Sequence, residues 1–254
     1  MFGRIVPRYD LMNRLMTGGR DAAWRGQAVR LAIGDGAESV LDLATGTGDL
    51  ALALATGGAR RVVGIDFARP MVRAAAAKSA RQRGDASGGR DAPPVPVWAV
   101  ADALALPFPD ESFDACTVSF GLRNMADYEA AVWEIARVLR PSGRFVCLEL
   151  TPYRRPVLGR VFNAYFSRVV PLVGGVLSGD REAYRYLPRS VAAFPDAASL
   201  AALFRRAGLH DVIYHLLGAG TVALHAGQKS DVEAVREPPV VRRTTTTGFL
   251  DTSE

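Results

Sequence analysis

The run Val40-Leu41-Asp42-Leu43-Ala44-Thr45-Gly46-Thr47-Gly48-Asp49 decides how this chain is read. A short apolar segment passes straight into a glycine-rich turn, and the apolar residues after Asp49 open a helix. Open α/β sheets build nucleotide sites this way, because glycines let the backbone approach a ligand at the carboxyl end of a strand. The spacing Gly46-x-Gly48-x-x-Ala51 fits a dinucleotide loop loosely. It fits an S-adenosylmethionine loop at least as well, since the acid Asp42 lies on the strand just before the glycines. The run alone leaves both open.

Outward from this run, strand and helix patterns alternate. Residues 9–16 and 22–33 read as helices separated by Thr17-Gly18-Gly19. Strands are predicted at 39–44, 61–66, 95–100, 113–120 and 144–150, with helices at 49–55, 70–83 and 127–139. Residues 84–94 are polar and rich in glycine and proline, as in a surface loop. The alternation stops at 151–195, where aromatics, arginines and prolines suggest a helical lid insertion. A helix at 196–207, with Gly208 beyond its end, precedes a hairpin of strands 212–217 and 221–225. The expected architecture is a doubly wound, mostly parallel, seven-stranded α/β sheet into which the hairpin inserts one antiparallel strand. One domain is expected over 1–229, comprising amino-terminal helices (1–33) and the lid; residues 230–254, with four consecutive threonines, are expected to be a disordered tail.

Composition narrows the class. The chain has 254 residues, 49% hydrophobic and 22% charged, as in an ordinary globular protein. Its 31 basic and 26 acidic residues give a net charge of +5. No dense basic block with interleaved aromatics accompanies that excess, so nucleic acid is not expected as a partner. Cys116 and Cys147, the two cysteines, fall in predicted core strands, and the three histidines lack ligand spacing with them, so neither a disulfide framework nor a metal site is expected. Residues 1–10 lack a signal-peptide core, and no apolar run reaches the ~20 residues that span a bilayer. A cytoplasmic protein, soluble or peripheral at a membrane, is the expectation.

Several side chains carry chemistry. Asp42 either contacts a cofactor's amino-acid end or braces the loop by accepting N–H groups. Gly46, Thr47 and Gly48 form the floor of the pocket. Asp66 ends the second strand about 20 residues after Gly46, where an acid can accept both ribose hydroxyls; the plainer reading is a helix cap. NAD and S-adenosylmethionine still fit equally. Asp102 and Ala103 then follow the third strand, where an aspartate can accept from an adenine amino group, and Pro107-Phe108-Pro109-Asp110 leads into the fourth strand. This pattern resembles class I S-adenosylmethionine-dependent methyltransferases and fits dehydrogenases poorly. Ser119-Phe120-Gly121-Leu122-Arg123-Asn124 closes the fourth strand. Arg123 and Asn124 can hydrogen-bond substrate oxygens there, and a fixed guanidinium stabilises a developing phenolate. The alternative for Arg123 is a stabilising pair with a nearby carboxylate.

With these residues in view, the chain resembles the ubiquinone/menaquinone-biosynthesis C-methyltransferases over residues 2–229. The segment from Tyr9-Asp10-Leu11-Met12-Asn13 to Thr17 matches the family's amino-terminal signature. Ser119 to Asn124 matches its central motif, Arg137 to Glu149 its second signature, and Tyr184-Arg185-Tyr186-Leu187 its lid region. There are departures: Asp21 stands where a histidine is often found, Ser142-Gly143 replaces a double glycine, and Glu149-Leu150-Thr151 replaces an acid-aromatic-serine ending. The resemblance implies S-adenosylmethionine bound through Thr47, Asp66, Asp102-Ala103 and Ser119, with S-adenosylhomocysteine as product. It implies methylation of a ring carbon of a polyprenylated quinol, with demethylmenaquinol favoured over a methoxy-benzoquinol.

A quinol hydroxyl, once deprotonated, pushes electron density onto its ortho carbon, which attacks the sulfonium methyl in line without need of a metal. In this scheme Arg123 and Asn124 orient the quinol oxygens, and Asp49 is the candidate partner or water-mediated base. Tyr9, Asp10 and Asn13 close the pocket, and Tyr184 and Tyr186 line the lid. Val157, Leu158, Val161, Phe162, Tyr165 and Phe166 recur at helical spacing among Arg154, Arg155, Arg160 and Arg168. Such a basic amphipathic segment either rests on an anionic membrane or packs on the domain as a lid helix. Expected partners are therefore the quinol, a membrane surface and a second copy of the chain. Two other functions compete: methylation of another acceptor such as a lipid amine, and a non-catalytic cofactor-binding scaffold.

Overall fold

A computed structural model describes residues 17–34, 36–85, 93–152 and 189–231. The expected helix at 9–16, most of the lid and nearly all of the tail lie outside the described residues, as do Tyr9, Asp10, Asn13, Tyr184 and Tyr186. Helix α1 (Asp21–Ile33) leads to strand β1 (Ser39–Leu43) and helix α2 (Asp49–Thr56). Strand β2 (Arg61–Asp66), helix α3 (Arg69–Asp85), strand β3 (Val97–Val100) and strand β4 (Phe113–Ser119) follow. A 3-10 turn (Leu122–Asn124) joins β4 to helix α4 (Tyr128–Val138) and strand β5 (Leu139–Leu150). Helix α5 (Ala197–Arg206), strand β6 (Leu209–Leu217) and strand β7 (Val222–Lys229) complete the described chain.

The seven strands form one sheet in the order β3-β2-β1-β4-β5-β7-β6. The first five pair in parallel, and β7 runs antiparallel to both β5 and β6. This is the doubly wound sheet with an inserted antiparallel strand that the sequence predicts. Chain order reverses between β1 and β4, so the cleft for a ligand lies beyond their carboxyl ends.

Strand alternation divides the core. Leu41, Leu43, Cys116, Val118, Phe145 and Cys147 face α4 and α5, which contribute Ile135 and Phe204. Val40, Ala115, Val146 and Leu148 face α1 and α2, which contribute Trp24 and Leu54. The period of two puts Asp42 on the side of Val40. Aspartates start two helices: Asp127 Oδ1 accepts from Ala130 N, and Asp196 Oδ1 accepts from Ser199 N, each at 2.9 Å.

Two expectations change. The fifth strand begins at Leu139, directly after α4, rather than at 144. Pro141-Ser142-Gly143 does not end the helix, which already stops at Val138, but forms an irregularity inside the strand, because Leu139 pairs with Phe113 while Arg144 pairs with Ala115. The last hairpin is also longer than predicted, with a register shift between His210 and Ile213 masking its start.

Candidate active site

The cleft at the switch point has a volume of about 360 Å³ and is lined by the ends of β1, β2, β3 and β4 and the residues after them. Gly46, Asp66, Asp102, Ala103 and Asn124, all expected site residues, meet there. Gly46 and Gly48 have φ of 57° and 85°, the left-handed region that glycine adopts at no steric cost. A Cβ on Gly48 would lie 2.6 Å from the Trp98 ring, which packs behind the loop. Ala44 and Phe120, at the ends of β1 and β4, are also left-handed, with φ of 49° and 56°. For residues with a Cβ that conformation costs about 1–2 kcal/mol each, and both line the cleft. Gly121 lets the two strand ends approach, since a Cβ there would lie 2.5 Å from the Ala44 Cβ.

Asp66 combines loop support with an open face. Its Oδ2 accepts from Gly46 N at 2.9 Å and its Oδ1 from Ala68 N at 2.8 Å. Burial holds the carboxyl above its usual range, partly offset by those N–H groups. Each oxygen keeps a further lone pair for a ligand hydroxyl. Phe67, beside it, is 78% exposed and lines the same cleft, a flat apolar face available to a base. Asp102 Oδ1 accepts from Leu104 N at 2.9 Å, which shapes the loop after β3.

Asp42 takes the bracing reading. It is 1% exposed. Thr45 Oγ1 donates to its Oδ2 at 2.6 Å, and Thr117 Oγ1 donates to its Oδ1 at 2.7 Å. Thr117 lies opposite Asp42 in the β1–β4 register, so the two side chains emerge on the same face. Burial pushes the Asp42 carboxyl up to about 6, against the lowering effect of both hydroxyls. Asp42 is not among the cleft-lining residues, which suits a brace under the loop.

Asp49 is paired with two cations. Its Oδ1 lies 2.6 Å from Lys78 Nζ and its Oδ2 3.4 Å from Arg25 Nη2. These two ion pairs tie the start of α2 to α1 and α3. Lys78 Nζ also donates to Thr47 Oγ1 at 3.2 Å, and Arg25 bonds the buried Asp21 at 2.8 Å. A polar chain thus runs from α1 through the start of α2 to α3. Lys78 and Arg25 carry no motif signal, and only the packing of three helices brings them together. Asp21, the departure from the family's frequent histidine, supplies the far end of this chain.

Arg123 and Asn124 leave β4 together. Arg123 Nη1 donates to Phe120 O and to Glu149 Oε1, both at 2.6 Å, and its backbone N donates to Glu149 Oε2 at 3.2 Å. The carboxylate pairing weighed as an alternative for Arg123 is therefore present. Its Nε is nonetheless buried without a hydrogen-bond partner among the described residues. Asn124 Nδ2 donates to the same Phe120 O at 3.3 Å, and its Oδ1 is likewise buried and unpartnered. Ser119, at the end of β4, and Thr47, buried in the glycine loop, are not among the cleft-lining residues. Among the described residues no group of three His, Cys, Asp or Glu could hold a metal ion.

Comparison with known proteins decides the family. The profile of the ubiE/COQ5 methyltransferase family matches residues 1–229. The chain belongs to this family. A demethylmenaquinone methyltransferase of Thermus thermophilus is 49% identical over 232 residues, covering 90% of this chain and 100% of that protein. A ubiquinone/menaquinone biosynthesis C-methyltransferase of Desulfotalea psychrophila is 42% identical, covering 90% and 89%. Solved structures agree in fold: a putative methyltransferase of Haloferax volcanii, in complex with the Trm112 activator, has a TM-score of 0.63 at 19% identity, covering 91% of this chain and 98% of that one.

As a ubiE/COQ5 methyltransferase the chain is an S-adenosylmethionine-dependent enzyme, which removes the scaffold reading. The cleft fits that cofactor: left-handed glycines open its floor, Asp66 offers lone pairs, and Phe67 offers a flat exposed face.

Proposed function

We propose that this ubiE/COQ5 methyltransferase C-methylates a polyprenylated quinol, converting demethylmenaquinol to menaquinol. The observation that carries the reading is the Arg123–Asn124 corner. Beyond the carboxyl end of β4, beside the cleft, a buried guanidinium nitrogen and a buried amide oxygen both lack partners among the described residues. Buried polar atoms are nearly always satisfied, so this corner suits the oxygens of a ring substrate. Relatives at 40–49% identity named demethylmenaquinone methyltransferases support the naphthoquinol over a benzoquinol.

The bound cofactor supplies a methyl group on a sulfonium, which departs as a neutral thioether. Asp66 orients the ribose, and Phe67 and Asp102 the adenine. Thr47, held by Lys78, lies toward the amino-acid end. Arg123 stabilises the quinol oxygen as its proton leaves to water, with Asp49 and Asp42 serving as anchors. The ortho carbon would then form its bond to the methyl carbon as the carbon–sulfur bond breaks; loss of the ring proton to water gives the aromatic quinolate, whose oxygen takes back one proton to leave the methylated quinol. Ser119 supports the cofactor side of β4. Tyr9, Asp10, Asn13, Tyr184 and Tyr186 complete the acceptor site.

A polyprenyl acceptor resides in a membrane, which favours peripheral contact through the basic lid. No helix among the described residues is long and apolar enough to cross a membrane. The deciding assay incubates the purified chain anaerobically with labelled S-adenosylmethionine and either reduced demethylmenaquinone or reduced methoxy-benzoquinone. Mass spectrometry should find the methyl group on the naphthoquinol ring carbon. Label on neither quinol, or on a lipid amine instead, overturns the reading. Liposome co-sedimentation tests the membrane contact: wild type should pellet with anionic vesicles and an Arg-to-Ser lid variant should not, whereas equal pelleting removes the proposal.

A further inference from the structure

Asn124 sits at the end of the 3-10 turn after β4 and lines the cleft. Its amide orientation is fixed by one bond. Nδ2 is 3.3 Å from Phe120 O, and a carbonyl oxygen only accepts, so the NH₂ must face it. The other end of the amide, Oδ1, is left buried with no donor among the described residues. Arg123, anchored on the same Phe120 O through Nη1, leaves a buried donor, Nε. The corner therefore holds one acceptor in need of a donor and one donor in need of an acceptor.

The two oxidation states of a quinone ring differ in this respect. A quinol hydroxyl both donates and accepts. A quinone oxygen only accepts. Arg123 Nε–H satisfies either form and does not tell them apart. Asn124 Oδ1 is satisfied by the hydroxyl alone; against a quinone oxygen it stays unpaired and its lone pairs face those of the ligand. We propose that Asn124 selects the oxidation state of the acceptor, admitting the reduced ring and rejecting the oxidised one at the binding step. This rests on the quinol reading above and deepens it. Only the reduced ring is nucleophilic, so discrimination at binding keeps the oxidised quinone from occupying the site unproductively.

The test is an anaerobic calorimetric titration of the full chain, saturated with S-adenosylhomocysteine, with a short-tailed demethylmenaquinol and separately with its quinone. Wild type should bind the quinol at least about tenfold more tightly, as expected when an analogue leaves a buried polar group unpaired. Asn124→Leu, and Asn124→Ala if the leucine variant does not fold, should bring the two affinities within about twofold of each other while S-adenosylhomocysteine binding is retained. Arg123→Lys should weaken both forms and keep the preference. Equal binding of both forms by wild type, or an unchanged preference in the Asn124 variants, overturns the inference. A wild-type turnover assay on the reduced quinol separates the two failures: methylation without redox preference sinks only the role of Asn124, and absence of methylation sinks the quinol reading as well.

Discussion

Arg123 Nη1 lies 2.6 Å from Glu149 Oε1, and the two side chains are 8% and 1% exposed. The acid of β5 thus holds the arginine of the 3-10 turn after β4 at both its guanidinium and its backbone nitrogen. A buried charge stripped of its partner is costly, so Glu149→Ala should destabilise the protein by about 3–5 kcal/mol. Replacing both partners with Arg123→Met and Glu149→Leu should recover much of that loss in denaturant titration and leave the enzyme inactive. Recovered turnover in the double variant would show that the pair is structural only.

Asp49 gives a sharp contrast between anchor and base. Removing a general base lowers turnover by about 10²–10⁴-fold. Asp49→Asn keeps the shape and one acceptor, so as an anchor it should lower kcat by less than about tenfold and mainly raise KM for S-adenosylmethionine. Steady-state kinetics at saturating quinol checks this. A thousandfold fall in kcat with KM unchanged would return Asp49 to the role of base.

Lys78 should act on cofactor affinity rather than on stability. It is 26% exposed and its partner Asp49 31%, so solvent screens the pair. Lys78→Met should cost less than about 1 kcal/mol of folding free energy. S-adenosylhomocysteine affinity by calorimetry should fall several-fold, because Thr47 loses its donor. An unchanged affinity would leave the polar chain from Asp21 to Thr47 without a functional consequence.

Gly121→Ala should damage the cleft directly. The new Cβ would lie 2.5 Å from the Ala44 Cβ, so β1 and β4 must separate at the switch point. Overpacking of this kind costs about 1–3 kcal/mol. Cofactor binding should weaken more than the melting temperature suggests, since both residues line the cleft. Wild-type affinity in this variant would mean that the strand ends tolerate the shift.

Asp42 sets a pH dependence. Burial raises its carboxyl from 3.8 to about 6, so between those values the folded protein holds a proton that the unfolded chain has lost. Stability contributed by this group therefore falls as pH rises through that window, by about 3 kcal/mol in all. Asp42→Asn is neutral throughout, and its amide can still meet the Thr45 and Thr117 hydroxyls. The variant's stability relative to wild type should rise from pH 4 to pH 7 and then level off, as read by urea titration at each pH. A constant difference across that range would mean that Asp42 titrates normally.

Much of the fold was legible because its signals are local. Apolar runs at β1, β4 and β5 and the glycines after β1 depend on near neighbours in the chain. The start of β5 was misjudged at Pro141-Ser142-Gly143, because a break signal in sequence does not show that a partner strand can absorb the extra residues. In the site, Asp66, Asp102 and Asn124 were found from their places after strand ends. Glu149 was visible only as part of a signature, and its bond to Arg123 depends on two strands lying side by side.

By itself, the sequence determined the α/β class, the glycine loop between β1 and α2, and the family, since each is written in short contiguous runs. Only the tertiary structure decided which groups share the oxygens of its acids. Asp42 bonds Thr117 because the two face each other across the sheet, and Asp49 is paired twice because α1 and α3 each bring a cation to it. A carboxylate's role depends on which groups share its oxygens, and those partners stand up to 75 residues away in the chain.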